Sequence, residues 1–246
     1  MYPRTLVDDT VAEAIGRHRR TDPVRPLSGG PAGNARLTAW LGALLLTLFL
    51  AELATLLDVE GLLSWHIVVG VLLVPPALAK TASTGWRIVR YYTGNWAYRK
   101  AGPPPMLLRV LGPLVVLSTL AVLGTGLALI ALGPDAGRTT LLTALGYRIS
   151  ALTLHQGTFI VWATATGLHT LGRLVPALRI LNGPTAAGSA VPGGRPRGVV
   201  LLASVLLAAL TALLVLNASG AWLTTDLHQH RAPGTHERPA TTTIGP

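Results

Sequence analysis

The chain has 246 residues, of which 50% are hydrophobic and only 12% are charged. Soluble domains carry about 25% charged residues, so this composition argues against a water-soluble globule. Twenty lysines and arginines against ten aspartates and glutamates give a net charge of +10, which alone would favour nucleic acid or an anionic surface as partner. Cysteine is absent, which excludes disulfides, thiolate iron–sulfur clusters, covalently attached haem and cysteine nucleophiles.

Residues 1–37 form a polar, arginine-rich arm. Prolines and glycines between positions 23 and 31 interrupt helices, and the pattern allows only a short helix from Val7 to Ile15. No apolar stretch follows the first basic residues at the distance that a secretory signal requires. The sequence therefore predicts a cytosolic, largely disordered arm.

Five apolar segments follow, each near the roughly 20 residues that a helix needs to cross a bilayer core of about 30 Å. They cover residues 38–57, 61–81, 106–132, 149–175 and 198–217. Apolar residues run continuously in these segments and do not alternate, which disfavours membrane β-strands. The sequence predicts an all-α integral membrane bundle of five transmembrane helices over residues 38–220, with a short polar tail at 221–246.

The basic residues fall mostly on one side of this bundle. Sixteen of the twenty lie in the arm or in the loops, and their flanks, between the second and third segments and between the fourth and fifth. By the positive-inside rule these regions face the cytosol, which predicts a multi-pass plasma-membrane protein with its N-terminus inside and its C-terminus outside. The net positive charge then reflects the orientation of the chain in the membrane. The expected partner is therefore the lipid bilayer and not nucleic acid.

Ionisable side chains inside membrane spans are costly, so each marks a candidate functional residue. The predicted second span contains His66 and Lys80, and the fourth contains His155 and His169. His66 and His155 lie about 9–10 Å inside the outer ends of two helices that run in the same direction. Two such histidines can face each other across a bundle, and imidazole is a common axial ligand of b-type haem. The sequence therefore predicts His66 and His155 as the two axial ligands of haem iron.

His169 follows His155 by fourteen residues. The residual rotation of about 40° keeps both on one helix face, about 21 Å apart, which suits two stacked haems. The position fourteen residues after His66 is Lys80, and lysine is an uncommon haem ligand. The sequence thus predicts one haem b and leaves a second open, because His169 and Lys80 could instead surround a quinone head group or haem propionates. His169 is equally suited to a plain helix contact.

The pattern resembles the b-type cytochrome superfamily of membrane haem subunits, which includes cytochrome b and the b561-like membrane anchors of bacterial dehydrogenases and hydrogenases. The resemblance covers residues 38–175. It rests on three segments: Ser64-Trp65-His66, Leu154-His155-Gln156 and Leu168-His169. It implies that the chain transfers electrons between a quinone pool and an extracytoplasmic oxidoreductase, for example of molybdopterin type. It also implies that the chain is a subunit of that oxidoreductase more than a stand-alone enzyme. The oligomeric state stays open. So does the alternative that the chain is a haem-free membrane scaffold or a small transporter.

Further residues complete the predicted site. Gly70, one turn beyond His66, leaves room for the macrocycle. Glu52 in the first span either accepts a hydrogen bond from a ligating imidazole or is a protonated or snorkelling side chain. Arg148 either pairs with a haem propionate at the outer surface or is a flanking charge. A separate candidate metal site in the tail consists of His228, His230 and His236.

Overall fold

The computed structural model describes residues 6–17, 22–182 and 191–220, which are mostly helical. The helices are α1 (Leu6–Ala14), α2 (Gly30–Thr55), α3 (Leu63–Tyr92), α4 (Trp96–Ala101), α5 (Met106–Arg138), α6 (Ala151–Asn182) and α7 (Gly194–Ala218). A 3-10 turn, Leu56–Asp58, follows α2. Two strands join α5 to α6, namely β1 (Thr140–Ala144) and β2 (Tyr147–Ser150).

Within the described ranges, four helices are long and apolar enough to cross a membrane. They are Gly30–Asp58, Leu63–Tyr92, Met106–Arg138 and Gly194–Asn217. These coincide with the first, second, third and fifth predicted spans, as expected of a membrane protein. The predicted fourth span, 149–175, is the 32-residue helix α6, which is not among the four. Its threonines, its two histidines and a glutamine dilute the apolar residues that a lipid-facing helix needs.

The long helices form two antiparallel pairs, α2 with α3 and α5 with α6, and these four surround a central cavity. Helix α7 packs on α3 outside the cavity. Its other face carries large apolar side chains such as Leu202, Leu206 and Leu213, which are 59%, 60% and 63% exposed. An apolar outer face around an interior with polar groups is what a bundle in lipid requires.

Helical structure begins earlier in the chain than the sequence suggested. Helix α1 occupies the place of the short helix allowed at 7–15, and it packs on α6. Helix α2 begins at Gly30, inside the arm, because Gly29 adopts a left-handed conformation (φ 76°) and Pro31 fits the first turn of a helix. Residues 6–14, where the sequence allowed a short helix, and residues 30–37 of the predicted arm are therefore helical.

The short hairpin between α5 and α6 departs from the all-α prediction. Ala144 pairs with Tyr147, and the two loop residues Leu145 and Gly146 both have positive φ, at 51° and 81°. Positive φ at both positions defines a type I′ turn, whose twist matches that of paired strands. Gly146 was the available signal in the sequence, since glycine adopts this conformation readily.

Candidate functional site

His66 and His155 face each other across the cavity. Each lies in the first two turns of its helix, His66 in α3 and His155 in α6. Their ring centroids are 6.3 Å apart and the ring planes cross at 76°. The structure thus brings together the two residues that the sequence singled out as a facing pair, and it places the first turns of α3 and α6 near each other.

The Nδ1 atom of His66 is held by helix α2. It lies 2.9 Å from Oε1 of Glu52 and 3.2 Å from the hydroxyl of Thr55. Thr55 donates its own proton to the Glu52 carbonyl at 2.7 Å. A carboxylate only accepts hydrogen bonds, so a neutral ring with this partner carries its proton on Nδ1 and its lone pair on Nε2.

The Nδ1 atom of His155 is held by helix α5. It lies 3.0 Å from the hydroxyl of Thr125, which donates its proton to the Ala121 carbonyl at 2.8 Å. Thr158 donates to the His155 carbonyl and also contacts Thr125 at 3.2 Å. Because Thr125 gives its own proton to Ala121, its hydroxyl is free to accept from an Nδ1–H of His155. Thr55 and Thr125 were both missed in the sequence.

The donor set fits one metal atom held from two sides. In the part of the chain that the structure describes, both rings contact their side-chain hydrogen-bond partners through Nδ1. A metal–imidazole bond of about 2 Å places each ring centroid about 3 Å from the metal, so two axial imidazoles lie about 6 Å apart. The observed separation of 6.3 Å agrees with this.

A macrocyclic iron needs only these two protein ligands, because its ring supplies the other four. The described residues contain no group of three or more His, Asp or Glu side chains that could hold a bare metal ion.

Glycines keep space free beside the pair. A Cβ atom added to Gly126 would lie 3.1 Å from Cε1 of His155, and one added to Gly70 would lie 3.5 Å from Oε1 of Glu52. Both glycines line the cavity, which has a volume of about 2380 Å³. The site therefore combines two imidazoles with a space that larger residues would fill.

A second polar group, which we call the basic site, consists of Lys80, His169 and Arg173 at the other end of the cavity. The charges of Lys80 and Arg173 both act on the His169 ring. Nδ1 of His169 is buried and has no partner among the described residues. Arg173 pairs with the buried Glu13 of α1 at 2.6 Å, and a Cβ atom on Gly42 would lie 3.3 Å from Nζ of Lys80.

Two predicted elements lie away from these sites. Arg148 is exposed on strand β2 and is not among the residues that line the cavity, so its pairing with a propionate stays a prediction. The candidate metal ligands of the tail, His228, His230 and His236, lie outside the described residues.

Comparisons of the chain with protein-family models, with curated proteins and with solved structures found no match.

Proposed function

We propose that this chain is a membrane electron-transfer protein that holds haem b between α3 and α6, with His66 and His155 as axial ligands. The facing histidine pair carries the proposal: the centroid separation of 6.3 Å suits one iron, and both Nδ1 atoms are hydrogen-bonded. Bound haem would supply one-electron redox chemistry. The resemblance to b-type cytochrome subunits supports the same conclusion.

The surrounding residues would orient the ligands and tune them. Glu52 and Thr55 fix the His66 ring, and Thr125 fixes the His155 ring. Partners of this kind set the tautomer and raise ligand basicity, and losing one typically weakens metal binding about 10- to 100-fold. Gly70 and Gly126 leave room for the macrocycle.

The proposal includes five spans, with α6 as the fourth. A helix that carries His155 and His169 on one face belongs inside a bundle, where its polar side chains meet cofactors and other helices instead of lipid. Sixteen of the twenty basic residues then lie on the cytosolic side, with the N-terminus inside and the C-terminus outside the plasma membrane.

With this orientation the histidine pair lies near the outer face. Electrons would pass between a quinone pool and an extracytoplasmic oxidoreductase, of which this chain is the cytochrome subunit. A molybdopterin enzyme is one such partner. The partner follows from the resemblance, and the outward position of the pair supports it.

A redox difference spectrum of the purified full chain tests the proposal. Dithionite-reduced minus oxidised protein should show a sharp b-type α-band, and His66→Ala and His155→Ala should each remove the contribution of this site. The neighbouring Trp65→Phe, a substitution of a side chain that is 63% exposed, is the matched control and should keep the full band. A band that survives intact in both alanine variants refutes the ligand assignment. Wild-type protein without any band would instead favour a haem-free scaffold or small transporter.

A further inference from the structure

The N-terminal segment forms part of the cavity wall. Glu13 and Gly16, at the end of α1, line the cavity, and so do Asp22, Pro23 and Val24, which precede α2. Helix α1 packs on α6 and on α5. We call the described part of this segment, residues 6–17 and 22–24, the strap. It belongs to none of the four long helices that surround the cavity, although it lines the same space.

Two contacts hold the strap on α6 beside the basic site. Oε1 of Glu13 lies 2.6 Å from Nη1 of Arg173. Arg179, further along α6, donates to the carbonyl of Gly16. Glu13 is 3% exposed, so its carboxylate lies inside the protein and not on its surface. Removing one partner of such a pair leaves a buried charge uncompensated, which makes this pair the main anchor of α1.

The strap is also tied to the other helix pair. Asp22 accepts hydrogen bonds from both Nη atoms of Arg87 on α3, at 2.9 Å and 3.3 Å. Next to it, the carbonyl of Pro23 accepts from the backbone of Ala32 in α2 at 3.2 Å. Because α3 and α6 belong to different pairs of helices, the contacts of the strap join both pairs at one end of the cavity.

Apolar packing contributes little to the attachment of α1. Val7 and Val11 in the helix, and Ile15 just beyond it, are 58%, 48% and 48% exposed. A helix of nine residues is also too short to be stable on its own in water, where about 12–15 residues are needed. The attachment therefore depends on polar contacts, and their loss would release α1 without unfolding the long helices.

We propose that the strap is a gate to the cavity at the basic site. While its ion pairs are formed, the strap excludes water-soluble molecules from this end of the cavity; when they break, it lets them in. The signs of the charges support this, since carboxylates of the strap meet arginines of two different long helices. The gate controls access alone, so it does not depend on whether the cavity holds haem.

Thiol labelling of the full chain in nanodiscs tests the gate. Thr84→Cys places a single thiol in the cavity wall, one turn before Arg87 on α3. A water-soluble maleimide should label it much more slowly than it labels the exposed Thr93→Cys. Adding Glu13→Gln should raise the rate at Thr84→Cys about tenfold, equivalent to about 1.4 kcal/mol in the opening equilibrium. Asp9→Asn, the matched control, makes the same change of charge at an exposed position of α1 and should leave the rate unchanged.

Exchanging the charges of the second ion pair provides a rescue. Asp22→Arg should speed the labelling of Thr84→Cys, and adding Arg87→Asp should slow it again, because the pair is restored with its signs reversed. A variant that had simply unfolded would not recover in this way. Three results would each overturn the proposal: a cavity thiol that is labelled as fast as the exposed reference, equal rates in the two α1 variants, or a charge exchange that restores nothing.

Discussion

At the His66 ring the partner of Nδ1 is a carboxylate, whereas at the His155 ring it is a hydroxyl. Glu52 is 7% exposed, and its second oxygen, Oε2, has no partner among the described residues. An ionised carboxylate beside an axial ligand favours the ferric state, which carries one more positive charge. We therefore expect Glu52→Gln to raise the midpoint potential, by about 60 mV for a tenfold change in the one-electron equilibrium.

A potentiometric titration of the α-band measures this shift. Glu60→Gln makes the same change of charge on an exposed residue of the loop before α3, and it should leave the potential nearly unchanged. An equal shift in both variants would assign the effect to the net charge of the protein and not to a carboxylate beside the ligand.

Thr125→Val removes the acceptor for Nδ1 of His155 and keeps the shape of the side chain. We expect haem binding to weaken about 10- to 100-fold, because the ring loses its orienting partner. Haem retention during competition with apomyoglobin measures this. Thr164→Val, at an exposed position of α6, loses only a bond to its own backbone and should retain haem as the wild type does. Equal retention in the two variants would contradict the role of Thr125.

The residue scale also shows where sequence reasoning succeeds and where it stops. Histidines inside apolar segments are conspicuous because they are costly there, so His66 and His155 could be selected from spacing alone. Thr55 and Thr125 could not, because threonine in a membrane helix usually bonds to its own backbone, and Thr125 does this as well. Only the packing of α2 on α3 and of α5 on α6 reveals their second contacts.

Among the elements, helix α5 offers a comparison of two glycines two residues apart. A Cβ on Gly126 would press on the His155 ring at 3.1 Å, whereas one on Gly124 would meet nothing within 4 Å. Alanine should stabilise the helix by up to about 1 kcal/mol at either position. The two variants therefore gain the same helix propensity, and a difference between them reflects contact with the His155 ring. We expect Gly126→Ala to lower haem occupancy several-fold and Gly124→Ala to preserve it, as measured by the haem-to-protein absorbance ratio. Equal occupancy would show that the ring can move aside.

Element boundaries were less predictable than element types. The apolar runs located α2, α3, α5 and α7, because a bilayer dictates both length and composition. The start of α2 at Gly30 depends on a left-handed Gly29, and the hairpin depends on two positive-φ residues, both of which are local features that hydropathy does not report. Helix α6 is a helix as predicted, but its polar residues keep it from qualifying as a span by composition.

For the whole molecule, the proposed topology depends on whether α6 crosses the membrane. The native chain has no cysteine. A single introduced cysteine is therefore the only thiol that a maleimide can label, and its labelling shows on which side of the membrane it lies. Thr93→Cys lies before α5, Thr143→Cys lies after it, and Arg195→Cys lies beyond α6; all three positions are exposed. In intact cells a membrane-impermeant maleimide should label Thr143→Cys alone, because the positive-inside rule places the other two in the cytosol. Labelling of Thr93→Cys and Arg195→Cys should appear only after permeabilisation. If Arg195→Cys is labelled in intact cells together with Thr143→Cys, then α6 does not cross, and a site between parallel spans α3 and α6 is untenable.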